Sequence, residues 1–220
     1  MCGRYAQTKS SKSLAKLLDA DDRTEGKIDK PDFNVAPTKT VPVAVMLEGR
    51  RELHAVRWGL VPSWAKDLRI GSRMINARFE TVTGKPAFRA AFKRRRCLIP
   101  ADGYYEWQPI DGRKQPYYLA RTDGTAFVMA GLWEIWRDAE GVPWWTCTVI
   151  TTDAPDDLGH IHDRTPMTLR PDRWQAWLDP STPDPLQLLT PAVSGAISAL
   201  AVTDKVNNVR NNGPELLTPA

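Results

Sequence analysis

Between Cys97 and Thr151 the chain reads as one strand after another, and this run limits the possible folds more than any other stretch. Strand-like segments cover residues 97–99, 104–108, 117–121, 126–136 and 144–151, all rich in aromatic and β-branched side chains. Asp111-Gly112, Asp123-Gly124 and Glu140-Gly141 separate the later ones. Glycine accepts the positive φ that a tight turn requires, so these dipeptides predict turns between the strands. A hairpin is predicted upstream, where residues 41–47 and 52–59 flank Glu48-Gly49-Arg50.

Helical signals are short. Residues 11–20 read as an amphipathic helix with Leu14, Leu17 and Leu18 on one side. Asn76-Ala77-Arg78-Phe79-Glu80 is read as opening a helical region, in which Asn76 serves either as a cap or as part of an anion site. A second helix is expected from Pro86 to the run Lys93-Arg94-Arg95-Arg96, whose cations suit a helix C-terminus. A third, residues 172–178, places Trp174, Trp177 and Leu178 on one face. Residues 33–38 read as an ordered turn, while residues 60–75 and 153–166 read as loops. There are no repeats and no break in composition, so a single α+β domain over residues 1–220 is expected.

Composition narrows the function classes. A hydrophobic share of 42% with nine Trp in 220 residues belongs to a folded globule. The longest apolar run, residues 127–133, is far short of a membrane span, and polar residues follow Gly3 and Arg4 where a signal peptide would be apolar. The three cysteines, Cys2, Cys97 and Cys147, are an odd number without metal-ligand spacing. These features predict a monomer in the reducing cytoplasm, with no metal and no cofactor. Charge is uneven along the chain: residues 1–110 hold 21 Lys/Arg against 12 Asp/Glu, a net +9, and residues 111–220 hold 9 against 14, a net −5. A basic half suits an anionic partner such as nucleic acid, and suits a solvated basic face equally.

Four residues are candidates for chemistry. Cys2 carries a free α-amine beside a thiol once Met1 is removed, which a small second residue permits. Such an amine, with a pKa of about 7.7–8.0, can attack an aldehyde, and the thiol can close on the imine to a five-membered thiazolidine. Were Met1 retained, Cys2 would be an ordinary terminal residue. Glu106 alternates within Tyr104-Tyr105-Glu106-Trp107 and is either an outward-facing strand glutamate or a carboxyl desolvated by rings, hence a proton shuttle near neutrality. His162 lies in His160-Ile161-His162-Asp163-Arg164, where a loop imidazole is a natural acid or base. Asn76 and Arg78 are two apart, and a guanidinium suits phosphate. Trp64 and Pro37 offer stacking or wedging surfaces for unpaired bases, although core burial is the commoner fate of a Trp.

Taken together, these segments resemble one family. Met1-Cys2-Gly3-Arg4-Tyr5, Asn34-Val35-Ala36-Pro37, Trp58-Gly59-Leu60-Val61-Pro62 with Trp64, and Ile75-Asn76-Ala77-Arg78-Phe79-Glu80 occur in the order of the SRAP family. So do Cys97-Leu98-Ile99-Pro100-Ala101-Asp102-Gly103-Tyr104-Tyr105-Glu106-Trp107, Ile161-His162-Asp163-Arg164-Thr165-Pro166 and Val206-Asn207-Asn208-Val209-Arg210. The resemblance implies antiparallel sheets curved into a partly open barrel flanked by helices. It also implies a protein that processes abasic sites in single-stranded DNA. By position, Cys2 matches the residue that forms a thiazolidine crosslink, Asn76 the one that orients terminus and sugar, and Glu106 the proton shuttle. His162 matches the residue that aids sugar ring opening, β-elimination or reversal. Arg4, Arg78 and Arg164 match phosphate contacts, and Asn34, Pro37, Trp64 and Thr151 match the DNA groove. One departure is visible: the family's bacterial pattern has two adjacent Trp where this chain has Trp64-Ala65. A lyase and a self-processing peptidase activity are further expectations from the resemblance. An N-terminal-nucleophile glutamine amidotransferase and a non-catalytic nucleic-acid-binding module are the competing classes.

Overall fold

The computed structural model describes residues 2–155 and 157–220. In chain order the elements are β1 (Arg4–Gln7), α1 (Ser11–Leu18), β2 (Asp21–Asp22), β3 (Asp32–Val35), β4 (Thr40–Leu47), β5 (Arg50–Trp58) and β6 (Asn76–Arg78). Then come α2 (Arg89–Arg94), β7 (Arg96–Ala101), β8 (Gly103–Ile110), β9 (Arg113–Arg121), β10 (Phe127–Arg137) and β11 (Pro143–Asp153). The chain closes with β12 (Arg164–Pro166), α3 (Trp174–Leu178) and β13 (Ile197–Ala201). Among the described residues no helix is long and apolar enough to cross a membrane.

Turn chemistry sets the registers. Glu48 and Gly49 take φ of 49° and 78°, and Asp111 and Gly112 take 46° and 76°. Both are two-residue turns with left-handed backbone, whose twist matches that of the strands they join. Leu47 therefore faces Arg50, and Ile110 faces Arg113. The first sheet runs β13-β9-β8-β1-β3 and the second β12-β11-β10-β7-β4-β5-β2. In the second, β5 also pairs with β11, closing the ring β11-β10-β7-β4-β5 into a barrel. The α+β class with curved sheets is as expected from the sequence. The closing pair, Thr146 with Arg57 and Cys147 with Trp58, is parallel, as is β6 on β11.

Alternation along β7 shows how the core divides. Cys97, Ile99 and Ala101 point into a cluster with Val43, Val45, Trp58, Met129 and Val149, and Cys2, Tyr5 and Tyr104 from the first sheet join it. Leu98 points to the other face, against Leu14, Leu18, Phe92, Trp174 and Trp177 of the helices. Successive strand residues face opposite sides, so a single strand serves both layers. Burying one such large apolar side chain contributes roughly 1.5–3 kcal/mol.

Several local expectations change. Asn76, Ala77 and Arg78 form a strand, paired with Val149, Ile150 and Thr151, and a short 3-10 turn, Phe79–Thr81, follows it. The spacing of two then puts Asn76 and Arg78 on one face of the sheet, which a helix would not do. Asn34 lies in β3, and the left-handed residue of that region is Thr38, at φ 73°. In α1, Leu14 and Leu18 are buried, but Leu17 is 41% exposed, because the apolar stripe is only wide enough for the i, i+4 pair. Within the 60–75 loop a 3-10 helix forms at Leu68–Arg73. Gly59 and Gly71 let that loop fold back on the barrel. A Cβ on Gly59 would sit 2.5 Å from the Gly71 carbonyl oxygen, and Gly59 has φ 123°.

Candidate active site

Two sheets meet at the amino terminus. Cys2 leads into β1 of the first sheet and is fully buried. Its backbone carbonyl accepts a hydrogen bond from Asn76 Nδ2 at 2.8 Å, and Asn76 stands on β6 of the second sheet. Asn76 Oδ1 is buried and has no hydrogen-bond partner among the described residues. An acceptor left in that condition marks a place for an incoming donor. Burial, and then the nearby Glu106 charge, push the Cys2 thiol well above the usual range, so the sulfur is held as a thiol. Met1 lies outside the described residues.

Glu106 comes from β8, two residues after Tyr104, and only 2% of it is exposed. Burial pushes its carboxyl up to about 7, and the charge of Asp163 adds to the shift. His162 faces it from the 153–166 segment, with Nε2 3.8 Å from Glu106 Oε2. The Arg164 backbone N–H donates to His162 Nδ1 at 3.0 Å, which assigns the neutral ring's proton to Nε2, the nitrogen facing Glu106. Asp163 Oδ1 lies 2.9 Å from the same Nδ1 and serves the protonated ring. Burial lowers the imidazole's pKa, and Arg164 adds to that. Near neutral pH the Glu106 carboxyl is therefore poised to give or take a proton, with the imidazole, held towards its neutral form, beside it.

A cleft of about 770 Å³ opens over this pair, lined among others by Arg4, Glu106, Trp107, Lys114, His160 and His162. Arg4 donates to Asn34 Oδ1 and, at 2.9 Å, to the Val206 carbonyl, and its guanidinium lies over Trp107 at 5.9 Å. Asn34 is buried, and its amide nitrogen serves the carbonyls of Val206, Asn208 and Asn211. It fixes the C-terminal loop and the direction of Arg4. Arg164 is likewise 7% exposed, and its guanidinium clasps Glu80 through two bonds of 2.9 and 3.0 Å while also reaching Asp153 and the Thr151 carbonyl. It is held as a buried brace between β11, β12 and the turn after β6. Thr151 is buried beside it, and Arg78, opposite Thr151 in the β6–β11 pair, is exposed. Trp64 is 61% exposed and Pro37 is half-buried.

Thus Cys2, Asn76, Glu106 and His162 are brought together, with Arg4 on the rim. Of the residues expected from the sequence, Arg4, Glu106 and His162 line the cleft, while Cys2, Asn34, Pro37, Trp64, Asn76, Arg78, Thr151 and Arg164 are not among its lining residues. Sequence reading missed Lys114, which stands on a hairpin strand with no motif around it. It also left Trp107 and Asn207 without a role, although Trp107 Nε1 donates to Asn207 Oδ1 at 2.6 Å and so ties the cleft wall to the C-terminal segment. Among the described residues no three His, Cys, Asp or Glu side chains gather as a metal site.

Known proteins resemble this chain over most of its length. "Abasic site processing protein YoaM" of Bacillus subtilis is 40% identical over 99% of this chain and 97% of its own. "Abasic site processing protein HMCES" of Xenopus tropicalis is 33% identical, over 99% of this chain and 78% of its own. A crystal structure from Bacteroides thetaiotaomicron superposes with a TM-score of 0.90 at 25% identity, each chain covered completely. The family model described as "SOS response associated peptidase (SRAP)" matches residues 1–209. The chain belongs to the SRAP family.

Proposed function

We propose that this protein captures abasic sites in single-stranded DNA as a covalent adduct on Cys2. The observation that carries the reading is the Asn76 hydrogen bond to the Cys2 carbonyl, which holds the terminal residue beside the Glu106–His162 pair. Relatives named as abasic site processing proteins support it.

The chemistry follows from these groups. An abasic deoxyribose exists mainly as a cyclic hemiacetal. Opening it moves the proton of the anomeric hydroxyl to the ring oxygen, one of Glu106 and His162 taking a proton as the other gives one. With Met1 removed, the Cys2 amine adds to the aldehyde carbon. The carbinol oxygen leaves as water, protonated by Glu106, and an iminium remains. Cys2 Sγ then adds to that carbon, the iminium nitrogen becoming a neutral amine, while the thiol proton returns to the Glu106 carboxylate. One C–N and one C–S bond have formed and one water has been lost. Ring closure within one residue has the advantage of high effective concentration. Removal of a C2 proton from the iminium by His162 would instead give β-elimination, the lyase outcome. Arg4 and Arg78 take phosphates, Trp64 and Pro37 meet bases, and Asn34, Thr151 and Arg164 shape the groove from behind.

Incubation with an abasic single-stranded oligonucleotide should give an adduct that survives heat and denaturant. Cys2→Ala should leave at most a labile imine, trapped only by reduction. A heat-stable adduct from Cys2→Ala would overturn the reading, and glutamine hydrolysis without any DNA adduct would point to an amidotransferase.

A further inference from the structure

The basic run that ends α2 is only partly explained by the fold. Residues 81–100 contain six cations and no carboxylate. Two of the six are engaged in place. Arg95 pairs with Glu134 at 2.5 Å, and buried Arg96 donates to the carbonyls of Phe92, Lys93, Trp177 and Asp179, capping the ends of both α2 and α3. Lys85, Arg89, Lys93 and Arg94 are exposed and have no ion-pair partner among the described residues. The helix dipole favours Lys93 and Arg94 in the last turn, but it disfavours Arg89 at the first position and Lys85 just before it. No acidic residue occupies that first turn. A local rule broken without structural compensation points to a use elsewhere.

The surroundings suit an anion. A cleft of about 630 Å³ beside α2 is lined by Arg89, Lys93 and Arg96 with Thr83, Ser181 and Thr182, and no Asp or Glu lies on its wall. Of the two carboxylates next to wall residues in sequence, Asp179 accepts from the Ser181 backbone N–H and hydroxyl, and Asp184 is exposed between Pro183 and Pro185. The cations do not converge on one point: Arg89 and Lys93 stand four residues apart on α2, about 6 Å along its axis, and Lys85 precedes the helix, its carbonyl accepting from the Arg89 N–H. That is a track for a linear polyanion. It begins seven residues after exposed Arg78, which shares a sheet face with Asn76.

We propose that the Lys85–Arg89–Lys93 face binds the sugar–phosphate backbone of DNA flanking the lesion, outside the cleft that does the chemistry. The proposal rests on the reading of the site as an abasic-site trap, and it adds a second, sequence-independent contact surface. The double variant Arg89→Glu/Lys93→Glu tests it, since neither residue touches the chemical site. Its covalent capture of a short oligonucleotide confined to the lesion should proceed at the wild-type rate. Its affinity for a long oligonucleotide carrying the same lesion should fall about tenfold at ~0.1 M salt, and the slope of log K against log salt should shrink by about 1.4–1.8. Unchanged affinity and slope on the long substrate would overturn the proposal while leaving the trap intact. So would stabilisation of the wild type, but not the variant, by inorganic phosphate without any change in slope, which would mark a small-anion site. If wild-type protein captured neither oligonucleotide, the underlying reading would fail and this proposal with it.

Discussion

Glu106 is the residue whose setting says most about use. Its carboxyl is raised from 4.5 to about 7, mainly by burial. Because the folded value is the higher one, the folded state holds a proton between those values that the unfolded chain has released. Stability from this residue is therefore complete below about pH 4.5 and is lost as pH rises through 7. The loss is on the order of 3 kcal/mol at most. Glu106→Gln should remove this dependence: urea unfolding at pH 8.5 should find the variant more stable than wild type, with the two converging near pH 4.5. Equal stabilities at pH 8.5 would show that Glu106 titrates normally. The same variant should slow adduct formation, and the wild-type rate should change with a midpoint near pH 7, measured by quenched gel assay. For Asn76→Ala we expect slower capture together with a loss of about 1 kcal/mol from the missing bond to the Cys2 carbonyl. Wild-type capture in that variant would demote Asn76 to a structural residue.

At the scale of elements, the hairpins were legible because their turns need particular residues. Glu48-Gly49 and Asp111-Gly112 take left-handed backbone where read, and register follows from two residues of local chemistry. β6 was not legible. Its strand state comes from β11, some seventy residues away, and Asn-Ala-Arg has no local preference strong enough to announce it. The same holds for the closure of the barrel by β5 and β11. The use of Arg96 was read only in part: its place at a helix end was visible, but its reach to the Trp177 and Asp179 carbonyls was not. The loop after β5 gives a test at this scale. Gly59→Ala should destabilise by at least about 2 kcal/mol, since it adds a Cβ at a positive φ against the Gly71 carbonyl. A variant melting like wild type would mean that the loop relaxes freely. Tyr104→Phe removes the 3.0 Å bond to Thr165 that joins β8 to β12 beneath Glu106, and should cost about 1 kcal/mol in a melt.

For the whole molecule, the two sheets have a division of labour. The first carries the terminal residue and Glu106, and the second carries Asn76, with His162 just ahead of its edge strand β12. The site exists only where they meet. The order of motifs along the chain was enough to list its members and to name the family, but not to separate groups that face the cleft from those that support it. Arg164 and Asn34 match DNA-contacting positions in sequence, and their burial within the walls is visible only in the fold. The charge division also has a place in the fold, since the exposed cations of α2 belong to the basic N-terminal half.

The most direct measurement is the intact mass of the protein before and after incubation with an abasic single-stranded oligonucleotide. The account predicts a chain lacking Met1, and then an adduct equal to that chain plus the oligonucleotide minus one water, unchanged by heating. A stable adduct on a chain that still carries Met1, or an adduct at full summed mass with no water lost, would contradict it.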